Sequence, residues 1–172
     1  AFQNLTEQLF CFEFKQPYGI YRYYNQPHIE TMPVRVGNDY IGFQSKYYDA
    51  STALSDKEQE LINAIDGAYT RYPGINKMIL YINKEAGMST AKGKTAPAYI
   101  ERIVSHGASK GITVEWRGLN ELETMLLNPV NSFLRDYFFA TDGGIRKVFA
   151  HIKDHTNTIF KSLSSEIKYR DQ

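Results

Sequence analysis

The 172-residue sequence contains a single cysteine, Cys11. That excludes an internal disulfide framework and any zinc site built from several cysteines, and it favours a reducing, cytoplasmic setting. An excess of charge is missing too: 20 lysines and arginines face 19 aspartates and glutamates, a formal net charge of +1. A protein that coats nucleic acid through bulk charge is thereby excluded, so any grip on phosphates has to come from a local patch. No apolar run approaches the length of a membrane-spanning helix, no secretory signal is visible, and no segment repeats. The chain opens on Ala1 without a methionine, as expected of a processed or excised piece. What is present, 42% hydrophobic and 23% charged residues, is the balance of a globular chain long enough for one substantial core.

Aromatic and β-branched residues dominate Tyr40-Ile41-Gly42-Phe43-Gln44-Ser45-Lys46-Tyr47-Tyr48-Asp49, which predicts a strand. Alternation then puts Gln44 and Lys46 on one face, with Ile41, Phe43 and Ser45 on the other. Residues 29–36 form a second apolar-rich run, and Gly37-Asn38-Asp39 between the two is tight-turn chemistry, so the pair reads as a β-hairpin. A turn centred near Asn38 sets position 30 opposite position 46 and brings Glu30 to Gln44 and Lys46. Pro33 lacks an amide hydrogen, which makes the first arm irregular or confines its pairing to one edge. An acid, an amide and an ammonium meeting across one hairpin suit metal-assisted hydrolysis. Carboxylate and amide oxygens ligate a hard cation, while the lysine orients water or offsets charge growing on a phosphate. The same polar, x, polar triplet is also the ordinary outer face of an antiparallel strand.

Around the hairpin, residues 2–14 have Phe2, Leu5, Leu9, Phe10 and Phe12 at helical spacing. The segment from Tyr18 to Tyr24 reads as a first strand or a loop. Its tyrosines, interleaved with Arg22, could stack on bases, although a strand with a wet outer face is preferred. Ser55 with Glu58 has the spacing of a capping box and opens a helix with the stripe Leu61, Ile62, Ile65, Ala68 and Tyr69, closed by Pro73-Gly74. Residues 77–82 read as a buried strand, 98–110 as a helix, 112–116 as a strand, 120–127 as a short helix, and 130–139 as a helix or strand covering an edge. The polar loop 83–96, carrying Lys84, Lys92 and Lys94, is either a phosphate grip or, preferably, a solvated insertion. A meander followed by alternating helices and strands predicts a mixed sheet flanked by helices. Beyond Asp142-Gly143-Gly144, residues 145–169 have the spacing of a long amphipathic helix, a linker or an oligomerisation element. His151 and His155 on it stand one turn apart, a zinc-compatible spacing with no third ligand in sight, and His28 and His106 read as surface or capping residues.

Glu30, then a hairpin, then Gln44-x-Lys46 resembles the PD-(D/E)xK nuclease core in its Mrr-like form, in which glutamine replaces the middle acid. Phe43 to Tyr48, Tyr72-Pro73, Lys77 to Ile82, Gly111 to Trp116 and Leu119 to Leu122 follow in the same order. That series is similar to the amino-terminal nuclease domains fused to STAND-type NTPases in bacterial anti-phage defence proteins. The resemblance spans about residues 2–139 and implies an α/β fold, a three-layer restriction-endonuclease-like core with a mixed central sheet over residues 1–139. Residues 140–172 would be a helical extension or linker. It also implies an endodeoxyribonuclease dependent on Mg²⁺ or Mn²⁺, with Glu30, Gln44 and Lys46 catalytic and with Glu30, Gln44 and Glu7 as metal ligands. The implied partners are DNA, a downstream STAND NTPase domain and further copies of the chain in a homo-oligomer, with no membrane. The chain departs from the family pattern twice. A glycine-rich approach to the first acid is replaced by Asn25-Gln26-Pro27-His28-Ile29, and a Phe-Glu pair opening the first helix is replaced by Phe2-Gln3, which leaves Glu7 as the helical acid. The alternatives are a catalytically silent nuclease-like module that binds nucleic acid or a partner, and an oligomerisation module.

Overall fold

The computed structural model describes residues 2–23, 25–87 and 96–140. The chain divides into two compact units, Ala1–Asn131 and Ser132–Gln172. Among the described residues, the first unit holds helices α1 (Phe2–Glu13), α2 (Glu58–Arg71), α3 (Ala98–Ser109) and α4 (Leu119–Leu127). It also holds strands β1 (Val34–Val36), β2 (Asp39–Lys46), β3 (Lys77–Ile82) and β4 (Thr113–Arg117). Of the second unit one helix is described, α5 (Ser132–Phe139), so this stretch of residues 130–139 takes the helical of its two expected forms. The amphipathic run 145–169 with His151 and His155, and lysines 92 and 94, lie outside the described residues.

The four strands form one mixed sheet in the order β1-β2-β3-β4, antiparallel between β1 and β2 and parallel thereafter. Register and alternation sort the side chains. Phe43, Ile79 and Tyr81 share the face covered by α1, where Phe10 stacks on Phe43 at 4.5 Å between centroids and Phe43 meets the edge of Tyr81. Met78, Leu80 and Ile82 point the other way, into a core with Leu61, Ala64, Ile65 and Ala68 of α2 and Ile103 of α3. Both crossover helices thus lie on one face and α1 on the other. This three-layer α/β arrangement with a mixed central sheet agrees with the expected architecture.

Three local expectations are corrected. The first hairpin arm is three residues long, because Pro33 cannot donate to a ladder and the Met32 amide goes to the Tyr21 carbonyl instead. The turn is the two-residue Gly37-Asn38, with Gly37 in the left-handed region at φ 60° as a type II′ turn requires, so Val36 pairs with Asp39. Ser55 does not cap α2; the helix is entered through a 3-10 turn, Leu54–Lys57, anchored by buried Leu54, and the Ser55 hydroxyl turns to Asp56. Of the two forms expected for the tyrosine-rich segment, residues 18–23 take the loop.

Side-chain polar links tie the layers together. Arg117 is buried and bridges Glu13 of α1 to Glu115 of β4, with the Tyr81 hydroxyl 3.3 Å away. Arg102 holds Glu58 with two hydrogen bonds of 2.6 Å, and His106 and Lys110 both reach Asp66, at 2.7 and 3.1 Å. His106 therefore joins α3 to α2 and is not a cap.

Candidate active site at the edge of β2

Because β1 pairs only with residues 39–41, the outer edge of β2 is open beyond Ile41, and the chain before Pro33 fills it. Ile29 is buried over Gly42, where an added Cβ would lie 3.1 Å from an Ile29 methyl; a side chain at position 42 would displace it. With Ile29 seated, the Glu30 amide donates to the Phe43 carbonyl at 2.9 Å. The approach to Glu30 carries no glycine and bends through two other residues with positive φ, Asn25 at 53° and His28 at 72°. Asn and His are among the non-glycine residues that enter this region most readily. The His28 ring, exposed as expected, seats against Gly67, where a Cβ on α2 would fall 2.0 Å from it. A glycine in mid-helix, costly for helix stability, is explained by that contact.

Glu30 and Gln44 are brought together, as the hairpin reading expects, although position 30 does not sit opposite 46. Glu30 Oε1 accepts from Gln44 Nε2 at 2.7 Å and from the Ser45 backbone amide at 2.9 Å. Its other oxygen accepts from Gln3 Nε2 of α1. Gln3 is the residue that sequence reasoning missed. Its signal was the four-residue spacing to Glu7, which puts both on one face of α1.

Glu7 and Lys46 are near this carboxylate but engaged elsewhere. Glu7 Oε2 lies 3.2 Å from Arg22 Nη1, and Lys46 Nζ lies 2.7 Å from Glu60 Oε1 on α2. Burial raises the Glu30 carboxyl above the ordinary carboxylate value. The Ser45 amide, the Lys46 charge and the Gln44 amide pull it back in part, and the Glu7 charge adds to the rise. Partial burial works against ionised Glu60, but Lys46 and then Lys57 outweigh it and hold that carboxyl below its usual range. Cys11 takes no part in the chemistry, since burial pushes its thiol up to about 11 and far from the thiolate a nucleophile requires. Lys84 is no phosphate grip: its ammonium donates to the carbonyls of Asp49, Ala50 and Thr52 and closes the loop after β2.

No protein-family model matches the chain, and no curated protein matches it. The donors themselves define what the site can hold. The oxygens of Glu30, Glu7 and Gln44 are of the ligand type of Mg²⁺ or Mn²⁺. Among the described residues no group of three His, Cys, Asp or Glu side chains could hold a metal, so a cation here would need the Gln44 amide oxygen beside the carboxylates. That amide turns its nitrogen to Glu30, and a half-turn of its last side-chain bond presents the oxygen.

Proposed function

We propose that the chain is a metal-dependent endonuclease module that hydrolyses phosphodiester bonds of DNA, the effector part of a bacterial anti-phage defence protein. The observation that supports this most is the Glu30 carboxylate locked to the Gln44 side chain and the Ser45 amide, with Lys46 two residues on and Glu7 within electrostatic reach. Glu30, Gln44 and Glu7 would hold the cation, Mg²⁺ or Mn²⁺. Such an ion, when bound, polarises the phosphoryl oxygens and acidifies water. The chain's own residues do the rest. The Ser45 backbone amide fixes the Glu30 carboxylate so that its charge points at one place, a contact that survives the half-turn of the Gln44 amide. Lys46 would bring an ammonium to the side where a phosphate gains charge as water attacks phosphorus and the P–O bond of the leaving strand breaks. Glu60 holds that ammonium at 2.7 Å, apart from Glu30. A downstream STAND NTPase domain and assembly into a homo-oligomer fit this reading as the means of control.

One observation favours a second reading, a catalytically silent module that binds nucleic acid: the Lys46 ammonium contacts Glu60 and not Glu30. Plasmid cleavage by the parent and by Lys46→Ala, with Mg²⁺, with Mn²⁺ and with chelator, separates the two. Metal-dependent cutting by the parent, reduced at least about a hundredfold in the variant while its thermal transition is kept, is the expected result. An equally active variant would sink the assignment, and a parent silent with every cation would favour the second reading.

A further inference from the structure

Three tyrosines stand on the loop between α1 and Glu30 with their rings in solvent: Tyr18 is 100% exposed, Tyr21 66% and Tyr23 53%. Exposed rings on this scale are costly in a loop that has no structural use for them, since each leaves a large apolar face in water. Two of them, Tyr21 and Tyr23, are nonetheless held. The Tyr21 carbonyl accepts the Met32 amide at 2.8 Å, two residues after Glu30. The Tyr23 amide donates to Gln26 Oε1 at 3.0 Å, and the Tyr21 and Tyr23 rings meet edge to face at 5.0 Å. Between them Arg22 reaches back to Glu7 with one of its five N–H donors, leaving the guanidinium half-exposed. Tyr47, 68% exposed, follows Lys46 directly and rests against Phe2 on the residue preceding Gln3. The tyrosine loop is thus tied to the chain two residues after Glu30, with Lys46 acting on Glu30 through its charge and Arg22 bonded to Glu7, whose charge Glu30 also feels.

We infer that this tyrosine loop is a stacking platform for unpaired nucleotides, so that the strand cut at Glu30 is single-stranded where it meets the protein. This rests on the nuclease reading and names the form of its substrate. The chemistry is selective: a ring can stack only on a base whose face is free, and a duplex hides the faces of its bases. Arg22 and Lys46 supply the charge that an adjoining phosphate needs, so the occupant is a polyanion carrying flat apolar rings. An acidic peptide would satisfy the cations but leave the tyrosine faces bare.

The test measures binding by fluorescence anisotropy in chelator, where no cleavage takes place, using the full chain with labelled oligothymidylate of about 12 nucleotides and with a duplex of equal length. Oligothymidylate should bind at least about tenfold more tightly than duplex. Tyr21→Ala and Tyr23→Ala should each weaken it by about five- to a hundredfold, whereas Tyr21→Phe and Tyr23→Phe, which keep the ring, should stay within about twofold of the parent. Equal or tighter binding of duplex, absence of binding to both, or alanine variants that bind like the parent would each overturn the proposal. Phenylalanine variants as weak as the alanine ones would show hydroxyl hydrogen bonding in place of stacking and overturn it as well. Cleavage is scored separately on single-stranded circular DNA and on plasmid: single-strand binding with neither DNA cut by any cation would leave the platform standing and remove the nuclease, and cleavage with duplex preference would do the reverse.

Discussion

Glu30 carries an electrostatic cost that its neighbours only partly offset, and the sign of that cost is testable. Its carboxyl is raised above the ordinary value chiefly by burial. As pH climbs through the normal carboxyl range the unfolded chain gives up this proton first, so the group lowers folding stability from there upward, the deficit becoming complete once the folded pKa is passed. Below about pH 4 both states hold the proton and the cost vanishes. Glu30→Gln keeps an oxygen for the Ser45 amide and removes the charge. Thermal denaturation of parent and variant should therefore coincide near pH 4 and separate in favour of the variant toward pH 7. Mn²⁺ should raise the parent's transition at pH 7 and leave that of the variant unmoved, because the proposed cation site needs the Glu30 carboxylate and exists only in the folded chain. A variant less stable than the parent at pH 7 would show that Glu30 is structural and not a strained ligand.

At the scale of elements, the strands and helices from α2 onward were legible from their apolar periodicity: β3 falls where Lys77 to Ile82 puts it, and α3 where Ile100, Ile103, Val104 and Ala108 put it, although only Ile100 and Ile103 of these are buried while Val104 and Ala108 are exposed. The polar pairing of Glu30 with Gln44 was legible for the same reason, alternation along β2. The path between α1 and Glu30 was not. Three non-glycine residues with positive φ, Lys15, Asn25 and His28, bend it, and none of these residue types announces a positive φ as glycine does. The engagement of Lys46 by Glu60 was equally hidden, since it joins residues of different elements through a register that only packing decides. Close packing also explains Gly107, the one glycine buried in α3 against β4. A Cβ there would lie 2.4 Å from a Val114 methyl and 2.9 Å from the Ile112 carbonyl oxygen. The carbonyl cannot yield, because the Ile112 amide is bonded back to Gly107 at 2.9 Å. Overpacking should exceed the gain in helix propensity, so Gly107→Ala is expected to destabilise by about 1 kcal/mol or more, read as a lower urea midpoint at unchanged slope. A higher midpoint would mean that α3 slides on the sheet more easily than these contacts allow.

The whole molecule is nearly neutral, and that limits how it can hold a polyanion. Many of its cations are already committed within the fold: Lys77 to Glu115, Arg117 to Glu13 and Glu115, Arg102 to Glu58, Lys110 to Asp66, and Lys84 to three carbonyls. Arg22 and Lys46 are paired as well, with Glu7 and Glu60, but stay partly exposed, and the proposed platform divides its affinity between these two cations and stacking. Counterion release gives that division a number, since log K falls with log salt by about 0.7 per phosphate neutralised on a single strand. With Arg22 and Lys46 as the contacting cations, oligothymidylate binding should show a slope of about −1 to −2 between roughly 50 and 300 mM KCl. The tyrosine contribution, being uncharged, should survive at the upper end. A slope steeper than about −4 would mean that a basic surface elsewhere on the chain carries the binding, and the cluster around Glu30 would then lose its claim to seat the strand.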